Sequence, residues 1–459
     1  MYLIRRIALL LAALDLAAFV LAFNLVSRLR GLPVEGIVFT PLLAPFAMLV
    51  VAIYLIDGYK SRTDMMSVDY TSQHILALGS TLMATLLLTF AIIPHGYPLQ
   101  QSRVVIGLSF FLLTPVTLGY RRLIYRRHSR TRGHRTLIFL GNRASCAVFQ
   151  EEYNKFGPHL PLIFSTSDAT AVGEAGDGLK LELFDDILIR VQQGQLAAEA
   201  IVLRESNREL RPELAEQLVK LYFSGVPTYT LELFYQIYWR KIPLYRINPT
   251  WLFQEGFQIT REPVFERLKR LSDIALSLTG LLLGAVPIAL AALAIKLEDR
   301  GPVLFLQMRI GKNHRPFRLL KLRTMHPQPP GEPDSADPYT HKNDLRITAV
   351  GRFLRLTRLD ELPQLWNVLI GDMSLIGPRA EWDRLVENYE RQIPCYHFRH
   401  LVKPGITGWA QVNYPYGANL EDTVRKLEYD LYYIRHFSFV LDASIVLKTI
   451  HIMLFGKGR

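Results

Sequence analysis

Four long apolar runs fill the first quarter of the chain and constrain its fold more than any other feature. They cover residues 3–26, 37–56, 74–93 and 104–118. Crossing a bilayer takes about 20 apolar residues in a helix, and each run is near that length, the fourth if it extends to Tyr120. Lipid offers the backbone no hydrogen-bond partners, so runs of this kind must be helices. Residues 1–125 are therefore expected to form a four-helix transmembrane bundle. The first run is too long for a signal-peptide core and lacks a small-residue cleavage site. Asp15 lies inside it. Intramembrane acids are often functional, but no second acid accompanies this one, so a packing or topology role is expected.

Lys plus Arg number 53 and Asp plus Glu 41, a net charge of +12. In a soluble protein such an excess suggests nucleic acid. Here half of the residues are hydrophobic, and the charge fits cytoplasmic loops and an anionic lipid surface better. Arg5 and Arg6 precede the first run, Lys60 and Arg62 follow the second, and RRLIYRRHSRTRGHR follows the fourth. Arg28 and Arg30 in the first loop are a mild exception. The bias puts both ends of the bundle in the cytoplasm. Two cysteines far apart, Cys146 and Cys395, give neither a disulfide framework nor a zinc-ribbon spacing.

From 134 to 253 the composition is that of a soluble α/β domain. HRTLIFLG, EAIVLRES and VPTYTL read as strands, and ASCAVFQEEYNKFG and ELAEQLVKLYFSG as helices. That alternation predicts a Rossmann-like α/β middle domain. Asn142, Arg143 and Ala144 follow Gly141 where a dinucleotide fingerprint needs a second glycine, so a structural or regulatory role is expected. A fifth apolar run, 274–295, carries Pro287, which would kink or break a helix. Basic residues flank both of its ends, so charge does not choose between crossing and re-entry. The remaining third is soluble in composition, interrupted by a Pro- and Gly-rich loop over 326–344 that is either a substrate-closing segment or a linker.

RLDELPQLWNVLIGD places two carboxylates, Asp360 and Glu361, before an apolar face of Leu362, Leu365, Trp366 and Leu369. Pro363 is tolerated only in a first turn. The spacing predicts a helix from 359 or 360 to Gly371, with both acids at its positive end, a position that also suits phosphate. On spacing alone an acid pair that merely stabilises the helix is the stronger reading. The basic residues around it shift the balance: Arg352, Arg355 and Arg358 upstream, Arg309, Lys312, Arg315, Arg318, Lys321 and Arg323 further back, Arg379 behind. Arginine suits bidentate phosphate contacts, while a patch resting on anionic lipid is the alternative. No nucleic-acid motif is present, and nucleic acid is not expected as a partner. Cys395, His397 and His400 of CYHFRH lack a fourth zinc ligand at a usual spacing, so no zinc site is expected there.

KRLSD, GPVLFLQMRIGK, LLKLRTM, LDELPQLWNVLIGDMSLIGPRAE, KPGITGWAQVN and KLEYDLYYI occur in that order over 265–459. Together they resemble the bacterial sugar transferase family, the monotopic polyprenyl-phosphate phosphoglycosyl transferases. The whole chain resembles the long-form members, undecaprenyl-phosphate glucose or galactose phosphotransferases that start exopolysaccharide, O-antigen or capsule synthesis.

The resemblance implies transfer of a hexose 1-phosphate from a UDP-sugar to undecaprenyl phosphate, with release of UMP. It gives Asp360 the role of nucleophile, through a covalent aspartyl-phosphosugar intermediate, and Glu361 that of Mg²⁺ ligand. Arg355 would hold phosphate, and Arg309, Lys321, Arg323, Arg379, Lys269 and Arg270 fall on further basic motif positions expected to bind substrate. It implies a mainly helical α+β catalytic domain behind a re-entrant membrane helix over 274–295, broken near Pro287. Substrates of this kind put that domain in the cytoplasm, against the lipid of a bacterial inner membrane. Relatives usually have Ser-Pro where this chain has Val286-Pro287, and GPRPE where it has GPRAE with Ala380. The architecture is also compatible with a homodimer.

Overall fold

The structure, a computed structural model, describes residues 2–31, 36–59, 63–92, 103–132, 135–156, 160–174, 178–204, 212–244, 263–326, 344, 346–414, 417 and 419–455. Most of the loop 326–344 lies outside them. The chain divides into two compact units, Met1–Leu231 and Glu232–Arg459.

The first unit opens with helices α1 (Tyr2–Leu29), α2 (Leu43–Leu55), α3 (Val68–Leu87) and α4 (Arg103–Arg132). Three of the expected runs are helices long and apolar enough to cross a membrane: Ile7–Leu29, Tyr70–Phe90 and Arg103–Arg127. The second is shorter, an apolar helical stretch of Thr40–Leu55. The fourth long apolar helix of the chain is Phe265–Asp299, in the other unit. The bundle packs through Phe19, Phe23, Leu49, Ile53, Ile106, Phe110 and Leu113. Asp15 has a partner after all, a base rather than an acid. Arg121 donates to both of its oxygens, at 2.6 and 2.5 Å, and the Tyr59 hydroxyl adds a third bond at 2.7 Å. Both Asp15 and Arg121 are fully buried, and a buried ion pair in apolar surroundings depends on such bonds to offset its desolvation.

Past the bundle, β1 (Thr136–Leu140), α5 (Arg143–Phe156), β2 (Leu162–Thr166), β3 (Gly173–Glu174), β4 (Lys180–Leu183), α6 (Phe184–Gln192), β5 (Ala198–Leu203), α7 (Pro212–Phe223) and β6 (Thr228–Thr230) follow. They build a six-stranded sheet in the order β3-β4-β2-β1-β5-β6. Every neighbouring pair is parallel except β3 with β4. β1 is buried throughout, as a central parallel strand must be. At its end a Cβ on Gly141 would come within 2.6 Å of Ser145 Oγ, and Asn142 Oδ1 accepts the Ser145 N–H that opens α5.

In the second unit, Ile242 and Leu244 join the core built on Trp409, Tyr396, Leu427 and Leu431. The buried Lys241 bonds Glu428 at 3.0 Å. The division between the compact units therefore falls at Leu231, earlier than the boundary at 253 expected from composition. Helix α8 (Pro263–Asp299) runs 37 residues with Pro287 inside it, about 55 Å at 1.5 Å per residue. The helix is not interrupted at Pro287, where a proline can still bend it, and both flanks of the proline pack against the same unit. Leu365 and Leu362 lie over Gly280 and Gly284 on one side, and Ala291 and Ile295 pack with Leu322 and Leu354 on the other. The opposite face leaves Leu276, Leu282, Leu283, Val286, Leu290, Leu293 and Leu297 exposed.

The rest of the unit is an antiparallel hairpin, β7 (Leu304–Ile310) and β8 (Pro316–Leu322), and a short parallel pair, β9 (Ser374–Ile376) and β10 (Gly405–Thr407). Around them stand α9 (Ala349–Thr357), α10 (Gln364–Ile370), α11 (Asp383–Gln392), α12 (Leu420–His436) and α13 (Phe439–Phe455).

Candidate active site

Asp360 and Glu361 do not open a helix. They form a 3-10 turn, Leu359–Glu361, and α10 begins only at Gln364, with Pro363 as its cap residue. The reason lies one residue upstream. Arg358 takes a left-handed conformation, φ 59°, which ends α9 and reverses the chain into the turn. Helix α10 stops at Gly371, φ 101°, where the sequence placed its end. Its apolar stripe is divided: Trp366 is 51% exposed, while the polar Asn367 is buried. Asn367 fastens the helix to the hairpin, accepting from Leu320 N at 3.0 Å and donating to Arg318 O at 2.8 Å.

The two carboxylates stand in different settings. Glu361 is held by cations: Lys321 Nζ lies 3.2 Å from Oε1, Arg379 3.9 Å from the same oxygen, and Arg358 3.7 Å from Oε2. Burial works to raise its pKa, and Lys321, Arg379 and Arg358 overcome it, so the carboxyl is held below its ordinary value. Asp360 is 8% exposed and accepts no hydrogen bond among the described residues. Burial first, and the adjacent Glu361 second, push its carboxyl above the ordinary range against the pull of Lys321, Arg355 and Arg358. Burial also lowers the Lys321 ammonium, against the attraction of Glu361.

The basic residues expected to bind substrate fall into two groups. Lys321, Arg355 and Arg379 act on the acid pair, as does Arg358, which the sequence placed in the basic cluster without a role of its own. Arg309 is felt by Lys321 and donates to Ala380 O at 3.0 Å. Arg355 donates to Thr324 Oγ1 at 2.8 Å, and Gly351 allows this approach, since a Cβ there would collide with the Thr324 backbone. The other group holds the fold. Arg270 donates to Val368 O and Leu369 O at 2.6 and 2.7 Å, satisfying the C-terminal carbonyls of α10. Lys269 pairs with Asp442 at 2.5 Å. Arg323 pairs with Asp299 through both guanidinium nitrogens and donates to Pro302 O at 2.5 Å.

The family described as bacterial sugar transferase matches residues 264–456, the span that contains this site. A UDP-glucose:undecaprenyl-phosphate glucose-1-phosphate transferase of Caulobacter vibrioides is 44% identical over 188 residues, which cover 40% of this chain and 69% of that protein. The chain belongs to the bacterial sugar transferase family. Family membership does not extend over the full length of every relative. A UDP-N-acetylgalactosamine-undecaprenyl-phosphate N-acetylgalactosaminephosphotransferase of Aeromonas hydrophila is 37% identical over 272 residues, 59% of this chain and 63% of that one. A UDP-glucose:undecaprenyl-phosphate glucose-1-phosphate transferase of Escherichia coli is 45% identical over 185 residues, 40% of this chain and 39% of that one. Both names carry the same acceptor with different sugars.

Proposed function

We propose that this sugar transferase moves a hexose 1-phosphate from a UDP-hexose to undecaprenyl phosphate, the initiating step of a surface polysaccharide. The observation that carries the reading is the unequal treatment of two adjacent carboxylates. Asp360 is desolvated and, among the described residues, has no hydrogen bond to blunt its oxygens. Glu361 is clamped by three cations.

In the first step an Asp360 oxygen attacks the phosphorus that bears the sugar. The new O–P bond forms as the bond to the bridging diphosphate oxygen breaks, and UMP leaves with that oxygen and its electron pair. In the second step a phosphate oxygen of undecaprenyl phosphate attacks the same phosphorus and Asp360 departs as carboxylate. Lys321, Arg358 and Arg379 surround the pair with more positive than negative charge, which suits a diphosphate and the charge that spreads over its oxygens in transfer. Carboxylate oxygens are the right donors for Mg²⁺, but with three cations already on Glu361 the ion fits only in company with substrate phosphates. Glu361, assisted by Asp360, would hold it. When bound, Mg²⁺ neutralises diphosphate charge.

We read the six-stranded, mostly parallel sheet as a Rossmann-like unit, on its alternation of strands and helices. Helix α8 is read as re-entrant in the cytoplasmic membrane. Support comes from Arg270 near its start and Asp299 at its end, which bind the same folded unit, and from its exposed leucine face. UDP-sugars are cytosolic, so that unit would face the cytoplasm.

The deciding experiment is UMP release from a panel of UDP-hexoses with undecaprenyl phosphate. Asp360→Asn should abolish turnover and the covalent phosphosugar adduct detectable by intact-protein mass spectrometry. Normal turnover in that variant would remove Asp360 from the chemistry.

A further inference from the structure

The hairpin between β7 and β8 turns through Asn313 and His314, both left-handed at φ 56° and 58°. That turn carries His314 to helix α11 and to the 3-10 turn Tyr396–Leu401. There His314 Nδ1 lies 3.5 Å from Glu390 Oε1, and His400 Nε2 lies 3.9 Å from the same oxygen. The two imidazole rings are 4.6 Å apart between centroids. All three ligand atoms fall within 4.8 Å of one another. Of the CYHFRH segment only His400 takes part, and its partners come from 86 residues before it and 10 before it in sequence (400 − 314 and 400 − 390).

His400 is the informative member. It is 5% exposed, and its Nε2 has no hydrogen-bond partner. The 3.9 Å to Glu390 is too long for a hydrogen bond. A buried ring nitrogen left unsatisfied this close to a carboxylate calls for an explanation, of which an ion is one.

We propose that His314, Glu390 and His400 form a site for a divalent transition metal of the zinc class. With bonds of about 2.0–2.2 Å to nitrogen and oxygen, tetrahedral ligands stand roughly 3.4 Å apart. The separations of 3.5 and 3.9 Å are close to that edge, and the exposed His314 side chain can close the third. Two imidazoles and one carboxylate suit zinc, cobalt(II) or nickel(II) and do not suit magnesium, which takes oxygen ligands. The nearby Arg399 opposes a cation, and its pairing with Asp430 at 3.1 Å and Glu381 at 3.5 Å weakens that opposition. The ion would fasten the hairpin turn to α11 and to the Tyr396–Leu401 turn, three elements distant in sequence. His400 also lines a small cavity with Arg379 and Arg399, so the clasp sits beside the arginine that reaches Glu361.

The full chain, purified in detergent and stripped with chelator, should bind Zn²⁺ in calorimetric titration in the presence of excess Mg²⁺. His314→Ala, at an exposed position, should weaken binding at least tenfold, since even losing a second-shell partner costs about 10–100-fold. His400→Ala should do the same, and Asp360→Asn should bind Zn²⁺ as the unaltered chain does. Zn²⁺ should also raise the thermal midpoint of the unaltered chain and not that of His314→Ala. No Zn²⁺ binding at micromolar concentration, or equal binding in His314→Ala, would overturn the proposal.

Discussion

Lys321 is the side chain on which the electrostatics of the acid pair turns, and replacing it by Met measures that role. Its Nζ stands 3.2 Å from Glu361 Oε1 and also pulls on Asp360. At an effective dielectric of 20, the gross attraction at 3.2 Å is about 5 kcal/mol. A single opposite charge at such range shifts a carboxyl by about 1–3 pKa units. Arg358 and Arg379 remain at 3.7 and 3.9 Å from Glu361, so only part of the cationic field is lost, while Asp360 loses the strongest of the charges that pull it down. The sign follows from the role. The nucleophile works as a carboxylate, and activity falls as pH drops through its pKa. Asp360 already lies above the ordinary range, so it sets the acid limb, and removing a cation moves that limb to higher pH. The assay is kcat/KM for UMP release across pH, with Lys321→Arg as the control that keeps the charge. An acid limb at its unaltered position in Lys321→Met would refute the argument, as would a Lys321→Arg limb displaced as far as that of Met.

The two-group division of the basic residues and the membrane disposition of α8 can be tested in the same protein. Arg323→Lys should lower the thermal midpoint by several degrees and leave the KM for UDP-sugar unchanged, because the guanidinium bonds Asp299 and Pro302 O; a raised KM at unchanged midpoint would return Arg323 to the substrate. With Cys146 and Cys395 replaced, Leu268→Cys and Leu297→Cys, both exposed on α8, should react with an impermeant maleimide from the same side of the membrane. Labelling from opposite sides would mean that the helix crosses.

What the sequence made legible is what depends on periodicity and local order. The apolar runs became helices, the α/β alternation became a parallel sheet, and Gly371 ended the helix it was expected to end. The acid pair stood out because two carboxylates among so many arginines are locally anomalous. What stayed hidden depends on pairing across the chain. Asp15 read as solitary because its partner, Arg121, is on another helix. The start of α10 was misplaced because nothing local marks Arg358 as left-handed; a glycine there would have been the usual signal.

The same blindness affects the arginines, and it bears on how such a site should be read. Arg270 and Arg323 look like phosphate ligands in sequence, yet each meets acceptors fixed by the fold: helix-end carbonyls for one, Asp299 and Pro302 O for the other. These contacts leave little for a phosphate to add. At the acid pair the balance is reversed. Lys321, Arg358 and Arg379 share one carboxylate, Glu361, and Asp360 is the other acid that acts on Lys321. A folded protein does not gather three cations on one buried carboxylate for stability, because like charges at such range repel and one partner would satisfy the acid. The surplus leaves the site able to take up further negative charge. On the proposed reading a diphosphate would bring that charge, and its arrival at Glu361 would present the phosphorus to Asp360.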